Sequence, residues 1–345
     1  MSANGAFLQA CRGQATPYTP VWFMRQAGRY MKEYRAIRAK ASLLEICRRP
    51  DLAAEVTLQP VERLGVDAAI LFADILLPFE PLGLGLSFAQ GEGPVIAHPI
   101  KSPADVARLP QVDPQEGLGH VLEAVRLIRR ALKDLVPLIG FAGAPFTLAS
   151  YAIEGGGTRD FAATKSFMYN EPKAWHALLD RLATLVGRYL GAQATAGAQA
   201  LQLFDSWVGC LSPADYREYV QPHSATAISL AAKAGVPIIH FGTGTSMLLE
   251  LMAGAGGDVI GVDWRISLDV AWARLPGRGI QGNLDPAALL GPIESLEAKV
   301  RDILRRAGGR AGHIFNLGHG VLQRTDPDRL RAVVGMVHEW SRTRD

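Results

Sequence analysis

Short apolar runs, most of them closed by a polar residue or glycine, recur along the chain, and between them lie longer segments in which apolar residues return every three or four positions. The runs at 20–24, 67–74, 137–143, 200–206, 236–242, 258–264, 279–284 and 313–319 read as eight strands. The intervening segments at 52–64, 118–133, 172–195, 213–234, 246–254, 293–307 and 326–343 read as helices. Repeated βα units of this kind predict an α/β fold with a parallel sheet. Eight such units close into a single (β/α)8 TIM-type barrel whose site lies at the C-terminal ends of the strands.

Local punctuation supports the helices. Ser212-Pro213 and Asp326-Pro327 place a capping side chain before a proline, and Gly235, Gly254 and Gly308 follow expected helix ends. The gap between the second and third runs is long. It holds LSFAQGEGPVIAHPI (86–100), in which a Gly-rich turn divides two alternating stretches, so a β-hairpin inserted after the second strand is expected. No linker, low-complexity tract or second domain is evident, and 1–345 is read as one catalytic domain.

Composition narrows the class. At 345 residues with 48% hydrophobic and 20% charged side chains, the chain suits one large core, and its net charge of +3 falls short of a nucleic-acid-binding surface. Cys11, Cys47 and Cys210 are widely spaced and form no CxxC pattern, so neither a disulfide framework nor a cysteine-rich zinc site is indicated. The start lacks a basic segment leading into an apolar run, and no segment approaches the ~20 apolar residues that span a bilayer. A soluble, cytoplasmic protein of a reducing compartment is the expectation.

The expected strand ends gather Arg25, Arg29, Asp74, Ser206, His240, Asp263, Asn283 and His319, with Tyr151 on the helix after the 140–157 loop. Cationic side chains crowd FMRQAGRYMKEYRAIRAK (23–40), six against the single carboxylate Glu33, which suggests an anion-binding wall. Gly28, between Arg25 and Arg29, would let the backbone turn so that both forks face one space. Asp74 ends an almost unbroken apolar run, so its carboxylate should enter a desolvated pocket and need a partner. Asp263 and Asn283 also fit simple capping roles. A nucleotide site has little support, because no GxxxxGK[ST] motif occurs and no GxGxxG follows the first strand.

On FMRQAGRYMKEYR and GFAGAPFTLASYAIEGGG, with FADIL, FDSWVG and NLGHG in order, the sequence closely resembles the uroporphyrinogen decarboxylase family over essentially its whole length. The resemblance implies a homodimeric barrel of heme and tetrapyrrole biosynthesis. Such an enzyme removes the four acetate carboxyls of uroporphyrinogen III as CO2 to give coproporphyrinogen III, without metal or organic cofactor. Residue by residue it implies that Arg25, Gln26, Ala27, Gly28, Arg29 and Arg38 bind substrate. It further implies that Asp74 binds the pyrrole N–H groups, and that Tyr151, Ser206 and His319 also line the site. Asp74, Arg25 and Arg29 are the catalytic candidates, with a bound water or His319 open as the proton donor. Two other readings are weaker. A zinc-dependent methyltransferase would want His-x-Cys at a strand end, where this chain has His240-Phe241-Gly242, and a non-catalytic tetrapyrrole-binding protein would not need a buried central carboxylate.

Overall fold

The computed structural model describes residues 4–88 and 93–343. Seven parallel strands form one curled sheet in chain order: β1 (Ala69–Ile70), β4 (Leu138–Gly143), β5 (Ala200–Asp205), β6 (Ile238–Gly242), β7 (Val259–Gly261), β8 (Gly279–Gln281) and β9 (His313–Ile314). Apart from this sheet, β2 (Leu86–Phe88) pairs antiparallel with β3 (Pro94–Ile96), Leu86 opposite Ile96. The Gly-rich turn expected between them falls on 89–92, outside the described residues.

The first apolar run does not become a ladder strand. Val21 makes one parallel bridge to Phe315, while its backbone N–H is taken by the Asp67 carboxylate at 2.7 Å and its carbonyl accepts from Asp67 N at 2.7 Å. The same carboxylate meets His338 Nε2 at 2.7 Å and Tyr18 Oη at 3.1 Å, so one buried acid fastens this run between β9 and β1. Inside the curl, Trp22 Nε1 donates to Gln281 Oε1 at 2.9 Å and Gln281 Nε2 to Gln202 Oε1 at 3.1 Å. Gln202 on β5 and Gln281 on β8 are not neighbours in the sheet. They meet only because it curls.

β1 is shorter than its apolar run. Leu71 N still reaches Ile139 O at 3.0 Å, but Phe72 N turns to Thr57 Oγ1 at 2.9 Å, on the helix Pro50–Leu64. The chain therefore leaves the sheet before Asp74.

The strands are followed by helices, and the apolar spacing says which face each buries. Val121, Val125, Ile128 and Leu132 are buried on the helix Gly119–Leu132, and Leu296, Val300, Ile303 and Ala307 on the helix Ile293–Ala307. The expected caps at Ser212 and Asp326 are present, and Gly308 closes its helix with φ 63°. The helix expected to stop before Gly254 includes it, running Leu249–Ala255 and ending at Gly256. The segment expected as one helix at 213–234 is broken by a π-helical turn, Tyr216–Val220, before Gln221–Ala232. Pro222, which has no N–H for the preceding turn, accounts for the break. Short helices at Lys32–Arg38, Leu43–Arg48, Ala162–Asn170 and Leu268–Ala273 are additional to the expected set. The second of these opens on a capping box, with Ser42 Oγ accepting from Glu45 N and Glu45 Oε2 from Ser42 N.

Candidate active site

A cleft of about 870 Å³ opens beyond the C-terminal ends of β1, β4, β5 and β6, lined by Arg25, Ala27, Gly28, Arg29, Arg38, Asp74, Tyr151, Ser206 and His319. Phe88 and Pro94 of the antiparallel pair border it. Its size lies near the top of the ~300–1,000 Å³ usual for small-molecule sites.

The arginine segment turns at Arg25, which adopts φ 59°, and again from Gly28, whose carbonyl accepts from Met31 N at 2.9 Å. A left-handed arginine is strained, and its surroundings must hold it. Gly28 also packs closely: a Cβ there would lie 3.2 Å from the Arg25 carbonyl oxygen. Gln26 is fully buried and its side chain faces away from the cleft. Its amide accepts from Phe23 N at 3.2 Å and donates to Ala68 O at 3.1 Å, while Tyr30 Oη donates to its carbonyl at 2.5 Å. Arg35 braces the far side of the turn, donating to the carbonyls of Arg29 and Tyr30, both at 2.9 Å. The Arg25 and Arg29 side chains are left exposed to the cleft. With its amide oxygen turned toward Arg29, Gln323 accepts from Nη2 at 2.5 Å and from Nε at 3.3 Å. Arg38 is farther along the rim with Lys40, and its Nη1 donates to Ala41 O at 2.5 Å.

Asp74 keeps part of its surface open to the cleft, but protein surrounds most of it. That desolvation raises its pKa above the ordinary carboxylate value, opposed by the Leu76 N–H at 2.9 Å and by the charge of Arg25. It makes no ion pair among the described residues. Tyr151 stacks on Trp207 with centroids 3.8 Å apart, and its phenol is pushed up to about 12 by burial, then by Asp74, with Arg25 opposing. Burial lowers His319 to about 4, helped by the charges of Arg25 and Arg265 and opposed by Asp263. Its Nδ1 accepts from Gly320 N at 2.6 Å, so the ring is neutral and its proton is on Nε2. His319 can therefore donate a hydrogen bond to an anion, and at neutral pH it does not supply a positive charge. Ser206 lines the cleft after β5, its carbonyl bound by the Thr243 hydroxyl.

Other strand-end residues do different work. Asp263 is buried and ties loops together, accepting from Gly244 N at 2.6 Å, Arg265 N at 2.9 Å and Arg265 Nη1 at 2.5 Å. Asn283 Nδ2 donates to the carbonyls of Asp263 and Ile266. His240 is fully buried beside Asp205, its Nε2 3.9 Å from Oδ2, and neither residue lines the cleft. Among the described residues, no group of three or more His, Cys, Asp and Glu side chains is placed to hold a metal ion, and the three cysteines are free. No helix of the described residues is long and apolar enough to cross a membrane. Gln323, Trp207 and Arg35 are the supporting residues that sequence reasoning missed. Trp207 stood inside FDSWVG, but nothing in the sequence set Gln323 apart.

A family model described as Uroporphyrinogen decarboxylase (URO-D) matches residues 2–340. The uroporphyrinogen decarboxylase of Carboxydothermus hydrogenoformans is 57% identical over 339 residues, covering 98% of this chain and 97% of that one. That of Sorangium cellulosum is 58% identical over 337 residues, covering 97% and 96%. Among solved structures, a methyltransferase from Methanosarcina mazei superposes with a TM-score of 0.83 at 19% identity over 99% of both chains. A B12-independent methionine synthase from Shewanella sp. gives 0.58 at 10% identity over 95% and 98%. These two likenesses speak for the fold alone. The matched family model and the relatives, more than half identical over nearly the full length, establish that the chain belongs to the uroporphyrinogen decarboxylase family.

Proposed function

We propose that this chain is a carboxy-lyase that converts uroporphyrinogen III to coproporphyrinogen III in tetrapyrrole biosynthesis. It would act as one (β/α)8 barrel domain spanning 1–345, as a homodimer in the cytoplasm, without metal or organic cofactor. Support for ring closure comes from Val21, bonded to Phe315 on one side and Asp67 on the other. The observation that carries the reaction is the convergence of groups: Arg25, Arg29, Asp74, Tyr151 and His319 line one cleft, with Asp74 largely enclosed by protein and the arginine side chains open to the same space.

Each of the four steps removes one carboxyl from an acetate arm. A proton added to the pyrrole carbon beside the arm turns that ring into a cation. The bond to the carboxylate then breaks, its electron pair neutralises the ring as an exocyclic methylene forms, and CO2 departs. Protonation of the methylene and loss of the ring proton leave a methyl group. Asp74 would accept the pyrrole N–H groups and stabilise the cation, charge that develops only during reaction. Those donors and that cation favour ionised Asp74, against the upward push of burial. Arg25 and Arg29 would hold arm carboxylates, with Arg38 at the rim and the Ala27 and Gly28 backbone between the two forks. Gln26 would contribute through its backbone. Tyr151, Ser206 and His319 Nε2–H would complete the polar lining.

None of the cleft's own acids suits the first proton transfer. A guanidinium holds its proton too firmly, Tyr151 is pushed up to about 12 and His319 down to about 4. The proton would then be a solvent proton carried in as hydronium along bound water, because neutral water is itself a weaker acid than the tyrosine. The test is an anaerobic assay of the purified protein with chelator present, following uroporphyrinogen III loss and coproporphyrinogen III gain by chromatography of the oxidised porphyrins. Appearance of the four-carboxylate product supports the reading; a folded protein that binds the porphyrinogen without turnover would refute it.

A further inference from the structure

We propose that Gly320 is a positioning residue: the bare backbone at 320 sets where the Arg25 guanidinium stands, and the same residue's N–H sets which nitrogen of His319 faces the cleft. A Cβ at position 320 would lie 2.5 Å from Arg25 Cδ, 2.8 Å from Cγ and 3.1 Å from Nε. Non-bonded carbons rest at ~3.5–4.0 Å, so even one methyl group would push the arginine stem aside by about 1 Å. Gly320 does not adopt a left-handed conformation, so alanine suits its backbone, and the three atoms nearest the added Cβ all belong to the flexible Arg25 side chain.

The neighbouring backbone cannot yield in its place. Val321 N donates to Met24 O at 2.9 Å, and Met24 N to Asn316 Oδ1 at 3.1 Å, an oxygen that also accepts from Leu317 N at 2.8 Å. These bonds fasten the arginine turn to the loop after β9 on both sides of Gly320. Arg25, strained at φ 59°, has its main chain fixed, and only its flexible stem is free to move. Meanwhile Gly320 N donates to His319 Nδ1 at 2.6 Å and so leaves Nε2–H as the donor. That N–H persists in alanine, so Gly320→Ala leaves His319 in place and reads the Arg25 stem by itself.

The inference rests on the reading of Arg25 as a carboxylate-holding residue, and a cycle of three variants separates the two. Gly320→Ala, Arg25→Ala and the double variant are compared for kcat/KM and for melting temperature. Because the clash falls on a movable side chain, Gly320→Ala should melt near the wild type. Its kcat/KM should nevertheless fall on the order of a hundredfold, the loss that a misplacement of about 1 Å can cause. In the Arg25→Ala background, where no stem crosses position 320, the same substitution should change kcat/KM by less than about threefold. An impaired Arg25→Ala beside a fully active Gly320→Ala overturns this inference alone, as does an equal loss from Gly320→Ala in both backgrounds. A fully active Arg25→Ala overturns the role of Arg25 and the inference with it.

Discussion

Replacing Asp74 with asparagine isolates the charge of the central carboxylate. The side chains are nearly isosteric, and an asparagine oxygen can still accept from Leu76 N, which Asp74 Oδ1 does at 2.9 Å. The fold around the cleft should therefore survive, with a melting temperature close to that of the wild type. What disappears is a full negative charge facing a cation that exists only during reaction. At about 4 Å and an effective dielectric near 20, that pair is worth roughly 4 kcal/mol, or about a thousandfold in kcat. KM should change much less, since arginines hold the arms. A single-turnover assay under anaerobic conditions, with enzyme in excess and products resolved as oxidised porphyrins, reads the chemical step. The pH profile adds a second sign. Burial raises Asp74 in the free enzyme, so the acid limb of wild-type kcat/KM should lie above the ordinary carboxylate value of ~3.9, and this limb should be missing in the variant. A folded Asp74→Asn enzyme with kcat within tenfold of wild type would refute the electrostatic role.

Three further outcomes are expected. Gln323→Ala frees the Arg29 fork from its only side-chain brace among the described residues and should raise KM by about fivefold while leaving kcat within twofold, a loss of about 1 kcal/mol in binding; steady-state kinetics would show it, and unchanged KM would count against Arg29. Tyr151→Phe retains the stack on Trp207 and should lower kcat/KM by about tenfold without a shift in melting temperature, the hydroxyl being the only group removed. His313, fully buried with Nε2 bonded to Gly282 O, is pushed down to about 4. The unfolded chain, with histidine near ~6.5, binds the extra proton first, so stability is full above that pH and falls as pH drops toward 4, by about 3 kcal/mol from this residue. Urea unfolding at pH 7 and pH 4.5 should show the loss, smaller in His313→Asn, and an equal loss of stability in both proteins would rule it out.

The centre of the sheet was legible in the sequence because β4, β5 and β6 are apolar runs buried along nearly their whole length. Its first members were less so, for a reason the periodicity does not carry. Asp67 and Thr57 compete for backbone groups that a ladder would otherwise use, so the run at 20–24 keeps a single bridge and β1 keeps two residues. Among site residues, Arg25, Arg29, Asp74, Ser206 and His319 could be picked out because they follow or end such runs, Tyr151 came from the family resemblance, and all six line one cleft. Gln26 could not be assigned a direction from its neighbours in sequence, and its side chain points inward. The left-handed residue also fell at an arginine where a glycine stood three residues away. Which residue bends depends on what packs around it, and those neighbours lie near position 320.

The pairing of Met24 with Val321 also bears on how the protein comes into being. The arginine turn and the loop that fastens it lie about 300 residues apart, so the cleft takes shape only once these two distant segments have met. A nascent chain stalled before Asn316 would hold Arg25, Asp74, Tyr151 and Ser206 and yet have no partner for Met24. A site that depends on so long-range a contact should be among the last parts of the fold to form.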